Sequence, residues 1–417
     1  MSILNVNQIQ PVGSGQTVTI SAANITASSS AITASSITAT SGTLSGISSV
    51  STTNLTVNGN AYPATGEFGN RRMTINGSMI VAQRSTSETG LSNFTGYQTV
   101  DRYIIQCSGG TGTYTVTQES DAPSGSGFTK SLKVDCTSSG TSRSAGSVNI
   151  QYRAEGQDLQ HLAYGTSDAK QVTLSFWFKT NRTGTHAVEL YNANGPRQIT
   201  KQFTVNSADT WEKKTLTYNG DTSGSFTNTN ALALYILFWS ATSNLNTGTF
   251  TDGVWANSVN ANRLPSDIAG VGLSGDYIQL TGVQLETGSV ATPFEHRSYG
   301  DELARCQRYY YKAQATGSSS SWGIGYVQTT TQARFIQKYP VEMRTRPTAL
   351  EQSGTAGDYR VYHQFTSTTC SGVPSYFYAD TWEAQTNFTV SSGLTVGHGA
   401  IARAVNSDAY LAWSAEL

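Results

Sequence analysis

The chain has 417 residues and a formal charge of −1, with 13% charged and 37% hydrophobic residues. So neutral a balance excludes a global electrostatic attraction to nucleic acid or to an anionic membrane surface. Its length exceeds one ordinary domain, and 40 Gly and 21 Tyr beside abundant Ser, Thr and Asn favour an all-β chain of short strands and turns.

Residues 1–66 contain no Asp, Glu, Lys, Arg or His. The opening "MSILNVNQIQPVGSGQTVTI" lacks the basic region and apolar core of a secretory signal. It places Ile3, Val6 and Ile9 before a Pro-Val-Gly turn, and an uncharged edge of this kind pairs readily with a partner's sheet. Residues 1–20 are therefore read as an attachment segment. Between 21 and 53, 18 of 33 residues are Ser or Thr. A flexible linker has such a composition, because little apolar surface offsets the ordering entropy. Single aliphatics nevertheless recur, among them Ile25, Ile32, Ile37 and Leu44, at spacings that match neither a heptad nor one long strand. Several identical chains could turn them toward a common axis, so 21–66 is read as a thin, β-rich, oligomeric shaft.

From 67 to 297 the pattern is that of a β-sandwich. "QVTLSFWFKT" (171–180) alternates, with Val172, Leu174, Phe176 and Phe178 on one face and Trp177 on the other. "THAVELYN", "ITKQFTVN", "WEKKTLTYNG", "ALALYILFWS" and "YIQLTGVQLETG" follow, bounded by Gly, Asn, Asp or Pro. "ALALYILFWS" is too short to span a membrane and is read as a strand. "AEGQDLQHLAYGT" allows a helical turn or two. At 298–312, Ser298 with Asp301 and Glu302 marks a capped helix start, supported by Asp301 and Arg305 four residues apart. Tyr299, Leu303, Cys306 and Tyr310 form one apolar stripe. So short a helix is marginal alone, and its stripe must pack either on its own chain or on copies of itself. Residues 313–417 are again strand-rich and long enough for a second, smaller sandwich. The four cysteines show no CxxC pair and are read as buried thiols. Cys107 and Cys136 each end a strand-like run and are the pair best able to meet.

"VQLETGSVATPFEHRSYGDELARCQRYYYK", "GNRRMTINGSMIVAQRST...VDRY", "EGQDLQHLAYGTSDAKQVTLSFWFKT...TGTHAVELYN...TWEKKTLTYNGDTSG" and "YPVEMRTRPT" together resemble segments of bacteriophage tail fibre and related receptor-binding virion proteins. The matches run in order from residue 69 to about 348. The resemblance implies a jelly-roll sandwich of the carbohydrate-binding type, homotrimeric assembly and recognition of a host-surface glycan or protein. The attachment segment would then dock on another tail or neck protein of the virion. A capsid or neck decoration protein built from the same modules is the alternative.

Enzymatic readings are weak. "GDTSG" (220–224) and "DLQH" (158–161) occur in the reverse of the esterase order, and Thr222 stands where a serine would serve. Asp221 is read as a turn residue bonding nearby backbone. No spacing singles out a carboxylate pair among Glu189, Asp209, Glu212 and Asp276. The histidines make no ligand set, and no cofactor fingerprint is present. The expectation is a binding protein without catalysis, cofactor or metal, with no nucleic-acid partner and no membrane insertion. For a glycan, Trp177, Tyr235 and Trp239 would form an aromatic platform if their strands are neighbours. A strand buried on both faces would read the same way. Tyr376 and Tyr378 in "CSGVPSYFYADTW" offer a second candidate, since Tyr, Ser and Gly also dominate other recognition loops. Tyr299, Leu303, Cys306 and Tyr310 are the expected seam between subunits.

Overall fold

A computed structural model describes residues 54–57, 60–63, 71–109, 112–140, 146–241 and 245–417. The chain divides into Met1–Ser51 and Thr52–Leu417, and only the second unit contains described residues. The attachment residues Ile3, Val6 and Ile9 and the shaft residues Ile25, Ile32, Ile37 and Leu44 lie outside them. In the expected shaft, Asn54–Val57 pairs antiparallel with Asn60–Pro63.

The described chain is all-β, as the composition predicts. Its first sandwich packs two antiparallel sheets. One has seven strands in the order Ala256–Asn257, Arg197–Val205, Gly184–Asn192, Leu232–Ala241, Ser147–Glu155, Tyr103–Ser108, Phe94–Tyr97. The other has six, ordered Glu212–Tyr218, Val172–Thr180, Tyr277–Thr287, Ser131–Ser139, Gly112–Glu119, Ser87–Leu91. The inward residues follow from the two-residue period. Phe176, Phe178, Leu234, Ile236, Phe238, Val188 and Leu190 all enter one core. Cys107 and Cys136 reach that core from opposite sheets as free thiols, and burial pushes the Cys107 thiol up to about 12.

The C-terminal sandwich has its own core, which includes Tyr359, Phe335, Phe388 and Trp413. It joins a three-stranded sheet (Tyr310–Gln314, Tyr410–Ser414, Glu351–Gln352) to a seven-stranded one. Because the apolar cores are separate, polar contacts tie the sandwiches together. Arg102 pairs with Glu416, Glu155 accepts from Arg308 and Tyr309, and Arg344 donates to the carbonyls of Asn230, Ala415 and Glu416.

The helix Tyr299–Gln307 begins at the predicted cap, where Ser298 Oγ accepts from Asp301 N at 3.2 Å. Asp301 in turn accepts from Ser298 Oγ at 2.7 Å, so its carboxylate serves the cap. The buried face is more polar than the stripe predicts. Glu302 is fully buried, paired with Arg72 and accepting from Asn76 N at 2.5 Å. That loop is itself fixed by Gly77. A Cβ there would lie 2.0 Å from the Val283 carbonyl oxygen, so only glycine permits the approach.

Two members of the expected seam need correction. Cys306 and Tyr310 are buried inside their own chain, and Tyr310 begins a strand. Its hydroxyl donates to Glu351 at 2.9 Å and Arg84 covers its ring at 3.6 Å. Tyr299 is 58% exposed and Leu303 is half-buried, so only these two could meet another subunit.

His186 is buried between Phe178 and Phe203, with Nε2 donating to the Arg182 carbonyl at 2.9 Å. Burial lowers its pKa from 6.5 to about 4. Between those values the unfolded chain binds a proton that the native chain refuses, so this contribution is full above pH 6.5 and is lost as pH falls toward 4. Buried Asp101, pushed up from 3.8 to about 6, acts in the opposite sense over that window. Comparison with His186→Leu isolates the histidine. In urea denaturation the wild type should lose roughly 1.4 kcal/mol per pH unit relative to the variant between about pH 6.5 and 4. Equal pH slopes would rule out the titration.

Candidate functional site

The expected platform of three rings does not form. Trp177 belongs to the six-stranded sheet, in register with Lys213 and Thr281 on that sheet's outer side. Tyr235 and Trp239 belong to the seven-stranded sheet. The packing of one sheet on the other places the sandwich core between them.

Tyr235 and Trp239 do share a face, opposite Leu234, Ile236 and Phe238. The neighbouring strand Gly184–Asn192 pairs Ala187 with Trp239, Glu189 with Leu237 and Tyr191 with Tyr235. On the other side, Ser147–Glu155 sets Arg153 beside Tyr235 and Gln151 beside Leu237. Together they build a cleft of about 390 Å³ on the outer side of the sheet. Leu245, Asn260 and Arg263 wall it from a segment that folds back over the strands.

Trp239 is the floor of this cleft. It is buried with Ala187, Leu237, Leu245 and Leu264, and small Ala187 opposite it leaves room for the indole. The Leu232–Ala241 strand is thus covered on both faces at Leu237 and Trp239. The accessible rings are Tyr191 and Tyr235, edge to face with centroids 5.7 Å apart. Neither phenol hydroxyl is hydrogen-bonded among the described residues, and two such rings with free hydroxyls suit the mixed apolar and polar faces of a sugar.

Guanidinium groups frame the rings. Arg153 lies 5.0 Å from the Tyr235 centroid, and Arg263 lies 5.2 Å from that of Tyr191 and 5.4 Å from that of Trp239. Fully buried Glu189 holds Arg263, accepting from its Nε and Nη2 at 2.8 Å each and from Trp239 Nε1 at 2.9 Å. Burial raises the pKa of this carboxyl, and the neighbouring Arg263 offsets only part of that rise. Glu189 is therefore a bracket that fixes the floor and wall, and its oxygens are spent within the protein.

Tyr191, Arg153 and Arg263 were not singled out in the sequence. Alternation in "THAVELYN" already sets Glu189 and Tyr191 opposite Val188 and Leu190. What it lacks is the pairing that brings Tyr191 to Tyr235. Of the C-terminal candidates, Tyr376 is half-buried with its hydroxyl donating to the Pro347 carbonyl, and Tyr378 is exposed beside Arg346. Neither lies in this cleft.

A larger cleft of about 630 Å³ lies beside the helix and mixes Glu295, Arg297, Asp301, Arg305, Arg308 and Glu342. Several of these groups are already used in the joint. Arg308 holds Glu155, and Arg297 donates to the carbonyls of Arg72 and Thr74. Volume alone is a poor guide here, and the smaller aromatic cleft has the better chemistry for a ligand.

Asp221 acts as the turn residue expected, accepting from Ser223 N at 3.1 Å, and it also pairs with Arg197. Among the described residues no cluster of His, Cys, Asp and Glu could hold a metal, and no helix is long and apolar enough to cross a membrane.

No described protein family and no curated protein matches the chain. Among solved structures, it is similar to the enzymatically active domain of tailspike protein 4 of bacteriophage CBA120. That likeness has 13% identity and a TM-score of 0.29, over 54% of this chain and 24% of that one. TmCBM61 in complex with β-1,4-galactotriose gives 8% identity and a TM-score of 0.27, over 52% of this chain and 100% of the other. The family 11 carbohydrate-binding module of a Clostridium thermocellum cellulosomal cellulase gives 10% and 0.25, over 55% and 98%. At such scores these likenesses carry no functional weight, and the chain spans about a quarter of the tailspike domain.

Replacing Glu189 by Ala should strand a guanidinium and a buried indole N–H. A loss of about 3 kcal/mol is expected, at the lower end for breaking a buried pair because Arg263 is partly solvated. Glu189→Gln keeps an acceptor for Trp239 and should lose less. Urea midpoints followed by tryptophan fluorescence measure both, and an unchanged midpoint in the Ala variant would contradict the bracket.

Proposed function

We propose that this chain is a structural virion protein of a bacteriophage, a homotrimeric tail fibre that attaches to the host surface by binding a glycan, without chemistry of its own. The observation that carries the binding role is the outer-face cleft. Its two accessible tyrosines can stack on sugar C–H faces, while Gln, Asn and Arg side chains meet hydroxyls. The phage assignment is supported by the ordered resemblance from residue 69 to about 348. In this reading the uncharged N-terminal segment attaches to another virion protein.

Absence of catalysis fits the way the carboxylates are spent. Glu189 is committed to Arg263 and Trp239, and Asp221 to Arg197 and a turn. Neither is free to act on a bound sugar as an acid, base or nucleophile.

Binding is tested on an array of bacterial envelope oligosaccharides with the full chain. Replacing both Tyr191 and Tyr235 by Ala should weaken binding at least about tenfold, since stacking rings supply much of such an interface. The double variant should unfold at nearly the wild-type temperature, because both side chains are partly exposed. Undiminished binding by a folded double variant would remove the cleft from the reading.

Assembly is tested independently by multi-angle light scattering of the purified chain, where three times the chain mass is expected. A monomer would overturn the trimer.

A further inference from the structure

We propose that the outer face of the C-terminal seven-stranded sheet carries a second binding site, where Arg360 and Arg403 receive an oxyanion, a phosphate or a carboxylate, borne on a bacterial surface polysaccharide. The oxyanion site stands on its own geometry, on a different sandwich from the aromatic cleft. Only the polymer assigned to it rests on the reading of the chain as a glycan binder.

Strand register creates the site. Tyr359–His363 and Gly399–Ala404 are neighbours, and Arg360 pairs directly with Arg403. Tyr359, Val361, Ala402 and Ala404, which alternate with them, enter the core, so both arginines leave the opposite face together. Like charges directly opposite each other on a sheet are destabilising. A carboxylate between them would relieve the repulsion, yet neither arginine forms an ion pair among the described residues. Asp358, two residues before Arg360, is buried and accepts from Ser353 Oγ at 2.6 Å and Asn406 Nδ2 at 2.7 Å instead.

Both arginines keep donors to spare. Arg403 makes no hydrogen bond among the described residues; its Nε is buried and its Cζ lies 3.9 Å from the Tyr362 ring centroid. The ring holds the guanidinium without using an N–H. Arg360 gives Nη2 to the Ser318 carbonyl and also has a buried Nε. Both Nη groups of Arg403 and Nη1 of Arg360 are left to offer. Hydroxyls extend the row, with exposed Thr369 in register with Arg360 and exposed Ser321 in register with Arg403.

The other cations of this face are engaged. Lys338 pairs with Glu383, and Arg334 donates to Asn387 and Gln328 at 3.1 Å each. One local pair of guanidiniums flanked by hydroxyls fits a single oxyanion, whose oxygens only accept. A nucleic acid would call for a longer basic track along its backbone. The adjoining row sets Tyr362, Ile401 and Ile324 in register, and Ile324 is 74% exposed. That apolar strip suits the C–H face of the sugar beside the anion.

The test passes full-length protein over immobilised dextran in phosphorylated, carboxymethylated and unmodified forms, read by biolayer interferometry. A charged form should bind about tenfold or more tightly than the unmodified one, as expected for charge-assisted hydrogen bonds, and less so as salt is raised. The tighter of the two charged forms identifies the oxyanion. Arg360→Gln with Arg403→Gln should abolish the preference, whereas Arg334→Gln with Lys338→Gln removes the same charge and should keep it. If the first pair fails to fold, Arg403→Gln alone carries the test, since that side chain makes no hydrogen bond. Equal binding of all three dextrans, equal loss in both double variants, or tighter binding of oligothymidylate than of either charged dextran overturns the proposal. The aromatic cleft is read separately through Tyr191 and Tyr235, so either site can fail alone.

Discussion

The carboxylate of Glu302 is the constraint on which the joint of this molecule depends. Placing an anion in a protein interior costs several kcal/mol unless charge and hydrogen bonds replace the lost water. Arg72, Asn76 N and the nearby Arg297 guanidinium supply the replacement. Arg72 also lies 4.8 Å from the Phe294 ring centroid, which gives its remaining edge a favourable face. The nine-residue helix would be marginal alone and gains its position from that pairing. The same demand fixes the 71–81 loop, in which Asn76 adopts a left-handed conformation and bonds to Val81 and to the Asp101 carbonyl.

Polar contacts of this kind explain how two separate apolar cores become one compact unit. Hydrophobic packing is tolerant of small displacements, whereas an ion pair with hydrogen bonds to fixed backbone groups is directional. Arg102 with Glu416, Glu155 with Arg308 and Tyr309, and Arg344 with three carbonyls each span the joint. The segments "RRMTING", "FEHRSYGDELARCQRYYYK" and "YPVEMRTRPT" meet here. The cleft draws Tyr191, Tyr235, Trp239, Arg153 and Arg263 from outside these three segments. The joint and the cleft are therefore built largely from different segments of the chain.

Parts of this were legible in the sequence because they depend on local rules. The inward faces of "QVTLSFWFKT" and "ALALYILFWS" follow from a two-residue period, and the helix start at Ser298 follows from its cap. The turn role of Asp221 also follows from its neighbours. The stripe Tyr299, Leu303, Cys306, Tyr310 was less informative, since helical spacing identifies a face without naming what covers it. Cys306 and Tyr310 are covered by their own chain. Glu302, the residue that matters most in the helix, looked in sequence like an ordinary charge favoured beside a helix N-terminus.

The sequence by itself determined the all-β class, the division into two strand-rich regions around a short helix, and the shared outward face of Tyr235 and Trp239. Each depends on period, capping or composition, which act over a few residues. Only the tertiary structure decided that Trp177 faces away on the other sheet, that Tyr191 joins Tyr235, and that Glu189 is spent on Arg263 and Trp239. Those facts depend on which strands pair and in what register. In a sandwich whose chain crosses repeatedly between sheets, pairing joins residues tens to hundreds of positions apart, beyond the reach of any local pattern.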